Sequence, residues 1–255
     1  MVIQRQVIVH DTKQALLDGL AARFLSTVGR LQGQQQTVRI VLTGGTVGIG
    51  VLAAINASAQ RDTIDWSRID VWWGDERWVP AGHADRNDQQ AMDALLSHVA
   101  LPESSIHRFP ASDGGDDLEA AATRYAADLA RLAEDGRVPN FDITFLGLGP
   151  DGHIASLFPH RGEVARQDST VVAVRNSPKP PPERLSLSLN TINSSERIWI
   201  ALAGSDKASP LGLALAGASP DLVPAAGAEG RSRTVFFVDR DAAAEVPREL
   251  ISAEY

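Results

Sequence analysis

Apolar positions recur along this chain with two different periods, and their alternation predicts its architecture. Leu16, Leu20, Phe24, Val28 and Leu31 follow one another at spacings of 4, 4, 4 and 3, giving one apolar stripe on a helix opened by Thr12. Leu118, Ala122, Tyr125, Leu129 and Leu132 repeat at 4, 3, 4 and 3 and predict another long helix. Residues 47–59 read as helical, and Asp85 is a candidate cap for a helix carrying Met92, Leu95, Leu96 and Val99. Between these segments lie short apolar runs at 38–42, 69–73, 141–146, 198–203 and 235–238, with strand-like runs also at 2–9, 171–174 and 185–189. Unbroken runs of this length mark strands buried on both faces. Strands alternating with helices predict an α/β fold with a largely parallel sheet and helices on both faces.

Breaks in the pattern are local. Gly114-Gly115, the SPKPPPE run at 177–183 and the Ala/Gly/Pro-rich stretch 216–230 read as loops, and none has the length or composition of an interdomain linker. No repeat or low-complexity tract appears, so residues 1–255 are expected to form a single domain.

Composition narrows the function. A net charge of −8 with no visible basic patch argues against a nucleic-acid partner and means that an anionic ligand must be drawn by a local group of Arg or Lys. Cysteine is absent, which excludes a disulfide framework, a thiolate metal site and a thiol nucleophile. The first twenty residues lack a secretory pattern, and no apolar run approaches the ~18 residues of a membrane span. A cytoplasmic protein without membrane contact is the expectation, as a monomer or a small homo-oligomer.

Four places put polar groups just past a predicted buried strand, the edge at which open α/β sheets bind ligands. Thr43-Gly44-Gly45-Thr46 allows close backbone approach and leads into a helix N-terminus, which suits a phosphate. Gly74-Asp75-Glu76-Arg77 offers a guanidinium fork in Arg77, and Asp75 as a group to orient a base or a sugar hydroxyl; an internal ion pair closing a loop is the structural reading. Gly147-Leu148-Gly149-Pro150-Asp151-Gly152-His153 sets a carboxylate and an imidazole two residues apart beside a small helical turn. Amides of the bend 149–152 are candidate oxyanion donors. This segment matches G-x-G-x-x-G formally, but Pro159 and Gly162 leave no room for the helix that fingerprint requires, and the next strand ends in Arg175 rather than an acid. Arg184 and Lys207 complete the set; alone, each reads as a solvated surface charge. Pro210 fits best as a first helical residue capped by Ser209, which leaves Lys207 in the approach loop. His83 and Asp85 are too few to make a metal site.

Together, the segments TGGT, WGDERWVP, GLGPDGHIASLFPH, PPERLSLSL and GSDKA, in this order from about residue 38 to 210, resemble the bacterial 6-phosphogluconolactonases. The resemblance implies a modified Rossmann-like fold shared with glucosamine-6-phosphate deaminases, hydrolysis of 6-phosphoglucono-δ-lactone to 6-phosphogluconate in the oxidative pentose phosphate pathway, and no cofactor. It also implies Gly44, Gly45 and Thr46 at the phosphate, Arg77 and Lys207 as its cations, His153 near Asp151 at the lactone, and Arg184 on the rim. The chain departs from the family's usual G-G-S-T-P at Val47 and Gly48, which removes one hydroxyl contact and a helix-starting proline. The related deaminases place a glutamate five residues after the histidine, where this chain has Phe158. A deaminase or sugar-phosphate isomerase on the same fold is the alternative reading.

Overall fold

A computed structural model of the chain describes residues 5–133, 136–166 and 168–252. Six strands form one parallel sheet: β1 (Arg5–His10), β2 (Val38–Leu42), β3 (Ile69–Trp73), β5 (Ile143–Gly147), β8 (Arg197–Leu202) and β9 (Arg233–Asp239), in the spatial order β1-β9-β8-β5-β2-β3. The strand predicted at 2–9 is described only from Arg5, and residues 2–4 lie outside the described residues. Every residue of β9 from Thr234 to Asp239 is buried, as is most of β2, β5 and β8, so both faces of the sheet centre are covered. A run such as VFFV can be continuous for that reason, since no strand face needs to meet water.

Helix α1 (Lys13–Gln32) begins where Thr12 accepts a hydrogen bond from the Ala15 amide, and its stripe Leu16, Leu20, Phe24 and Val28 is buried. It packs beside α2 (Gly45–Ala57), and together they cover one face of the sheet. The predicted helix at 118 is α4 (Leu118–Arg131), capped by Asp117 through the Ala120 amide. Asp85 does not cap its helix. Arg86 holds the cap position of α3 (Asn87–Ala94) without a side-chain bond, and Leu95, at φ −148° and ψ −51°, ends the helix before Leu96 and Val99.

Two predicted strands leave the parallel sheet. β6 (Val171–Val174) and β7 (Arg184–Leu187) join the short strand β4 (Asp75–Arg77) in a three-stranded antiparallel sheet ordered β4-β7-β6. β7 then ends at Ser188, whose side chain accepts from the Thr191 amide and starts α5 (Leu189–Asn193). In α6 (Ala208–Leu215), Lys207 rather than Ser209 occupies the cap position, and Pro210 is the third helical residue. Proline is tolerated there because the first-turn N–H groups have no intrahelical acceptor. Among the described residues, no helix is long and apolar enough to cross a membrane.

Candidate active site

β5 lies between β2 and β8, and the chain proceeds from β2 toward one edge of the sheet and from β5 toward the other. The crevice beyond their carboxyl ends is therefore a topological switch point. A cavity of about 520 Å³ opens there. Its walls bring together all four sequence segments: Gly44, Gly45 and Thr46 after β2, Asp75 and Arg77 in β4, Gly149 and His153 after β5, Arg184 in β7, and Lys207 after β8. Lys13 from the first turn of α1, Asn87 from α3 and Lys179 from the proline loop also line it.

The glycines after β2 have separate reasons. A side chain at Gly44 would lie 1.9 Å from Asn87 Oδ1, and Gly45 adopts φ +79°, a region that favours glycine. No side chain caps α2, so its first-turn amides face the cavity without a protein acceptor of that kind. Gly48, where the resemblance leads one to expect a proline, lies in this first turn with its Cα pressed against Thr43; a Cβ would sit 2.7 Å from the Thr43 carbonyl oxygen.

Asp75 is buried, and each of its carboxylate oxygens already accepts a hydrogen bond from the protein. Its Oδ2 accepts from Ser156 Oγ at 2.6 Å and its Oδ1 from Asn87 Nδ2 at 3.3 Å. It ties three segments together, and Asn87 Oδ1 is left buried without a partner beside Gly44. Arg77 donates through Nη1 to the Asp85 carbonyl at 2.9 Å, while its buried Nε has no partner. Neighbouring Glu76 is 1% exposed and accepts the amides of Arg77, Asn87 and Asp88 at 2.7, 2.7 and 2.9 Å. Burial pushes its carboxyl up to about 7, against the pull of Arg86 and these amides.

Arg184 is not on the rim. It is 4% exposed, because its guanidinium turns inward to donate to the carbonyls of Lys179, Pro180 and Pro181 at 3.0, 3.0 and 3.2 Å. The proline loop has no N–H at four of its positions, so a side chain satisfies its carbonyls instead. Lys207 ends a single 3₁₀ turn, Ser205–Lys207, and pairs with Asp206 at 3.0 Å. Gly204 anchors that turn by donating its amide to Asp239 at the end of β9.

At the other end of the cavity, His153 Nδ1 hydrogen-bonds Asp151 Oδ1. This contact orients the ring and leaves Nε2 as its reactive nitrogen. Burial raises the Asp151 pKa, but the His153 hydrogen bond and the charges of His153 and Lys179 outweigh it and hold the carboxyl well below the usual range. Lys179 Nζ lies 3.5 Å from His153 Nδ1 and 3.7 Å from Asp151 Oδ1. Because Nδ1 already serves Asp151, the ammonium acts there as a charge rather than as a donor. Burial lowers the Lys179 pKa first, Asp151 raises it, and Lys207 and Arg184 lower it further. The imidazole sits over Gly149, where a Cβ would be 2.0 Å from Nδ1, and packs on the Phe158 ring with centroids 4.6 Å apart. The segment after it is a tight turn rather than a helical one: Ala155 has φ +48° and the Leu157 amide donates to Ile154.

Two amides of the glycine bend are already committed to the protein. Gly149 N–H donates to the His153 carbonyl and Gly152 N–H to the Gly149 carbonyl, both at 2.9 Å, and Pro150 has none to offer. Lys13, Asn87, Ser156 and Lys179 were not among the residues marked by the sequence segments as ligand-facing. The Asn and Ser carry no local signal, since their roles arise from contacts across the fold, and Lys179 lies in a proline run that the sequence marks only as a loop.

The chain is similar to known proteins in sequence and in fold. The model of the family described as glucosamine-6-phosphate isomerases/6-phosphogluconolactonase matches residues 11–237. The chain is 46% identical over 250 residues to a 6-phosphogluconolactonase of Streptomyces coelicolor, covering 96% of each chain. It is 46% identical over 242 residues to that of Mycobacterium tuberculosis, covering 94% of this chain and 97% of the other. Among solved structures, the 6-phosphogluconolactonase of Trypanosoma brucei aligns with a TM-score of 0.82 at 26% identity, over 96% of this chain and 100% of that one. A monomeric glucosamine-6-phosphate deaminase shares the fold, with a TM-score of 0.79 at 22% identity over 94% of this chain and 99% of the other. With a sequence match across most of its length and a modified Rossmann-like sheet in common with these structures, the chain belongs to the glucosamine-6-phosphate isomerase/6-phosphogluconolactonase family.

Proposed function

We propose that this chain hydrolyses 6-phospho-D-glucono-1,5-lactone to 6-phospho-D-gluconate. The observation that carries the choice within the family is Phe158. It is buried, it packs on the His153 ring, and it stands where the deaminases place an acid. An aromatic ring cannot shuttle the proton that ring opening of an amino sugar needs, whereas a lactone needs only an activated water and a stabilised oxyanion. The relatives at 46% identity carry the lactonase name, which supports the same choice.

In this reading the phosphate sits among Arg77, Lys207 and the α2 amides of Gly45 and Thr46, with Gly44 leaving room for the backbone to approach. Arg184 completes the positive wall. Asp75 holds Ser156 and Asn87 in place, and the unpartnered Asn87 oxygen accepts from a sugar hydroxyl. The ring then lies toward His153. Asp151 fixes the imidazole with Nδ1–H as donor, so Nε2 takes a proton from water as the water oxygen attacks the carbonyl carbon. The C–O(ring) bond breaks as the tetrahedral intermediate collapses, and the same proton passes from Nε2 to the departing ring oxygen. With the Gly149 and Gly152 amides committed elsewhere, the Lys179 ammonium supplies the charge that steadies the oxyanion. Binding energy at the phosphate is thereby converted into orientation at the carbonyl.

The deciding measurement is acid release from freshly made 6-phosphogluconolactone, followed against spontaneous hydrolysis. Acceleration by the chain, abolished in His153→Ala, is expected. Ammonia release from glucosamine 6-phosphate without lactone hydrolysis would reverse the assignment.

A further inference from the structure

Among the described residues, five Lys and Arg side chains line the catalytic cavity: Lys13, Arg77, Lys179, Arg184 and Lys207. Four of them are tied to the protein. Arg77 donates to the Asp85 carbonyl, Arg184 donates to carbonyls of the proline loop, Lys179 lies beside Asp151, and Lys207 pairs with Asp206. Lys13 is exposed and has neither a hydrogen bond nor an ion pair among the described residues. Asp11, its nearest carboxylate along the chain, pairs with Arg240 at 2.7 Å instead. The position is also an unfavourable one for a cation. Lys13 is the first residue of α1, whose first turn holds no acid, so its charge meets the positive end of the helix dipole. No protein partner offsets that cost among the described residues.

The packing of α1 on α2 explains where that charge is directed. Both helices follow strands of the parallel sheet and contact each other on one face of it, so they run side by side with their N-termini at the ligand edge. Leu17 fills the place beside Gly50, where a Cβ would lie 3.0 Å from Leu17 Cδ1. Lys13 stands one turn before Leu17, and Thr46 one turn before Gly50, so the same packing sets Lys13 beside the opening turn of α2. Side chains of a helix lean toward its N-terminus, which carries the lysine stem past the end of α1 and into the cavity. Val47, next in the α2 turn, brings no polar group of its own. We infer that Lys13 is a substrate-binding residue whose ammonium reaches the phosphoryl group at the α2 N-terminus, which rests on the placement of the phosphate proposed above. It adds a flexible point charge to a pocket whose other cations are already oriented by the protein. The adverse charge at the helix end of the free protein is neutralised when a phosphorylated ligand binds.

Calorimetric titration of the full chain at ~0.05 M salt, with 6-phosphogluconate and separately with glucosamine 6-phosphate, tests this. The two ligands share the phosphoryl group and differ at the other end. Lys13→Ala is expected to weaken both by ~10-fold, the low end for a charge-assisted bond, and the loss shrinks as salt rises. Lys13→Arg is expected to keep most of the affinity. The thermal midpoint of unliganded Lys13→Ala is expected to equal or exceed that of the wild type, because an adverse charge leaves the helix end; a merely structural lysine would lower it. Unchanged affinity in Lys13→Ala overturns the proposal. So does a loss confined to 6-phosphogluconate, which would put the lysine at the carboxylate, or a lowered midpoint with no rescue by Lys13→Arg. A wild-type preference for glucosamine 6-phosphate, with both affinities still dependent on Lys13, would overturn the lactonase reading and leave this one standing. Wild-type protein that binds neither ligand would overturn both.

Discussion

Arg77 and Arg184 stand directly opposite each other in the antiparallel β4–β7 pair, and both line the candidate active site. Arg184 is held by three carbonyls of the proline loop, whereas Arg77 has a buried Nε with no partner. The pair thus divides its work: one guanidinium is committed to the protein and the other has a donor to spare. Arg77→Ala is expected to raise KM for the phosphorylated lactone ~10- to 100-fold while kcat changes less, the size of a lost charge-assisted hydrogen bond. Steady-state kinetics on fresh lactone measures this, and an unchanged KM would remove Arg77 from the phosphate site.

His153→Ala is expected to lower kcat by ~10²- to 10⁴-fold with binding of 6-phosphogluconate preserved. Asp151→Asn leaves a ring partner but no charge to stabilise the imidazolium that forms, so a smaller loss in kcat is expected. The Asp151 carboxyl has a folded pKa below its ordinary value of ~3.9, so its contribution to stability is present above that value and is lost as pH falls below it. Acid unfolding of Asp151→Asn should therefore show less pH dependence below about pH 4 than the wild type. Equal slopes would show that the pair does not stabilise the fold.

Gly149→Ala tests how closely the imidazole lies on its own loop. The new Cβ would fall 2.0 Å from His153 Nδ1 and 2.5 Å from Asp151 Oδ1, and the ring is the part free to move. A kcat loss approaching that of His153→Ala is expected, with the thermal midpoint changed by only a few degrees. Normal turnover in this variant would mean that the histidine acts from a different position.

Glu76 touches no ligand-facing space, yet its carboxylate joins the amide of Arg77 to those of Asn87 and Asp88 at the start of α3. Glu76→Gln keeps the shape but replaces one acceptor oxygen with a donor, leaving one of these amides unpaired at ~1–3 kcal/mol. A lower thermal midpoint and a raised KM are expected together. Because burial raises the Glu76 pKa to about 7, its ionisation costs stability as pH rises from its ordinary ~4.3 toward that value. The variant should lack this decline. Thermal scans between pH 4 and 8 would read it directly.

The parallel sheet was legible because its strands are buried on both faces and their apolar runs are continuous; the runs at 38–42 and 69–73 coincide with strands residue for residue. Of the small antiparallel sheet, the runs behind β6 and β7 were legible as strands, but β4 and the pairing of the three were not. Asp75-Glu76-Arg77 carries no apolar signal at all, and its strand exists only because β7 pairs with it. The same lack of local signal hid Asn87 and Ser156, which reach the site through the carboxylate of a residue 12 and 81 positions away. Asp85 shows the opposite error: a good capping residue displaced by one position, because the Glu76 carboxylate already receives the amides that open α3. His153 was legible as chemistry from its neighbours in sequence, but the commitment of the Gly149 and Gly152 amides depends on a turn closing on itself, which spacing alone does not reveal.

The grip of Arg184 on the loop that carries Lys179 has a consequence for selectivity. A ligand without a phosphate leaves two guanidinium groups facing each other with no counter-ion between them, and one of the two is the peg on which the lysine loop hangs. The penalty for the wrong ligand therefore falls at the reacting carbonyl, far from the missing group. Discrimination against the unphosphorylated lactone should register in how fast the bound molecule reacts as well as in how tightly it is held.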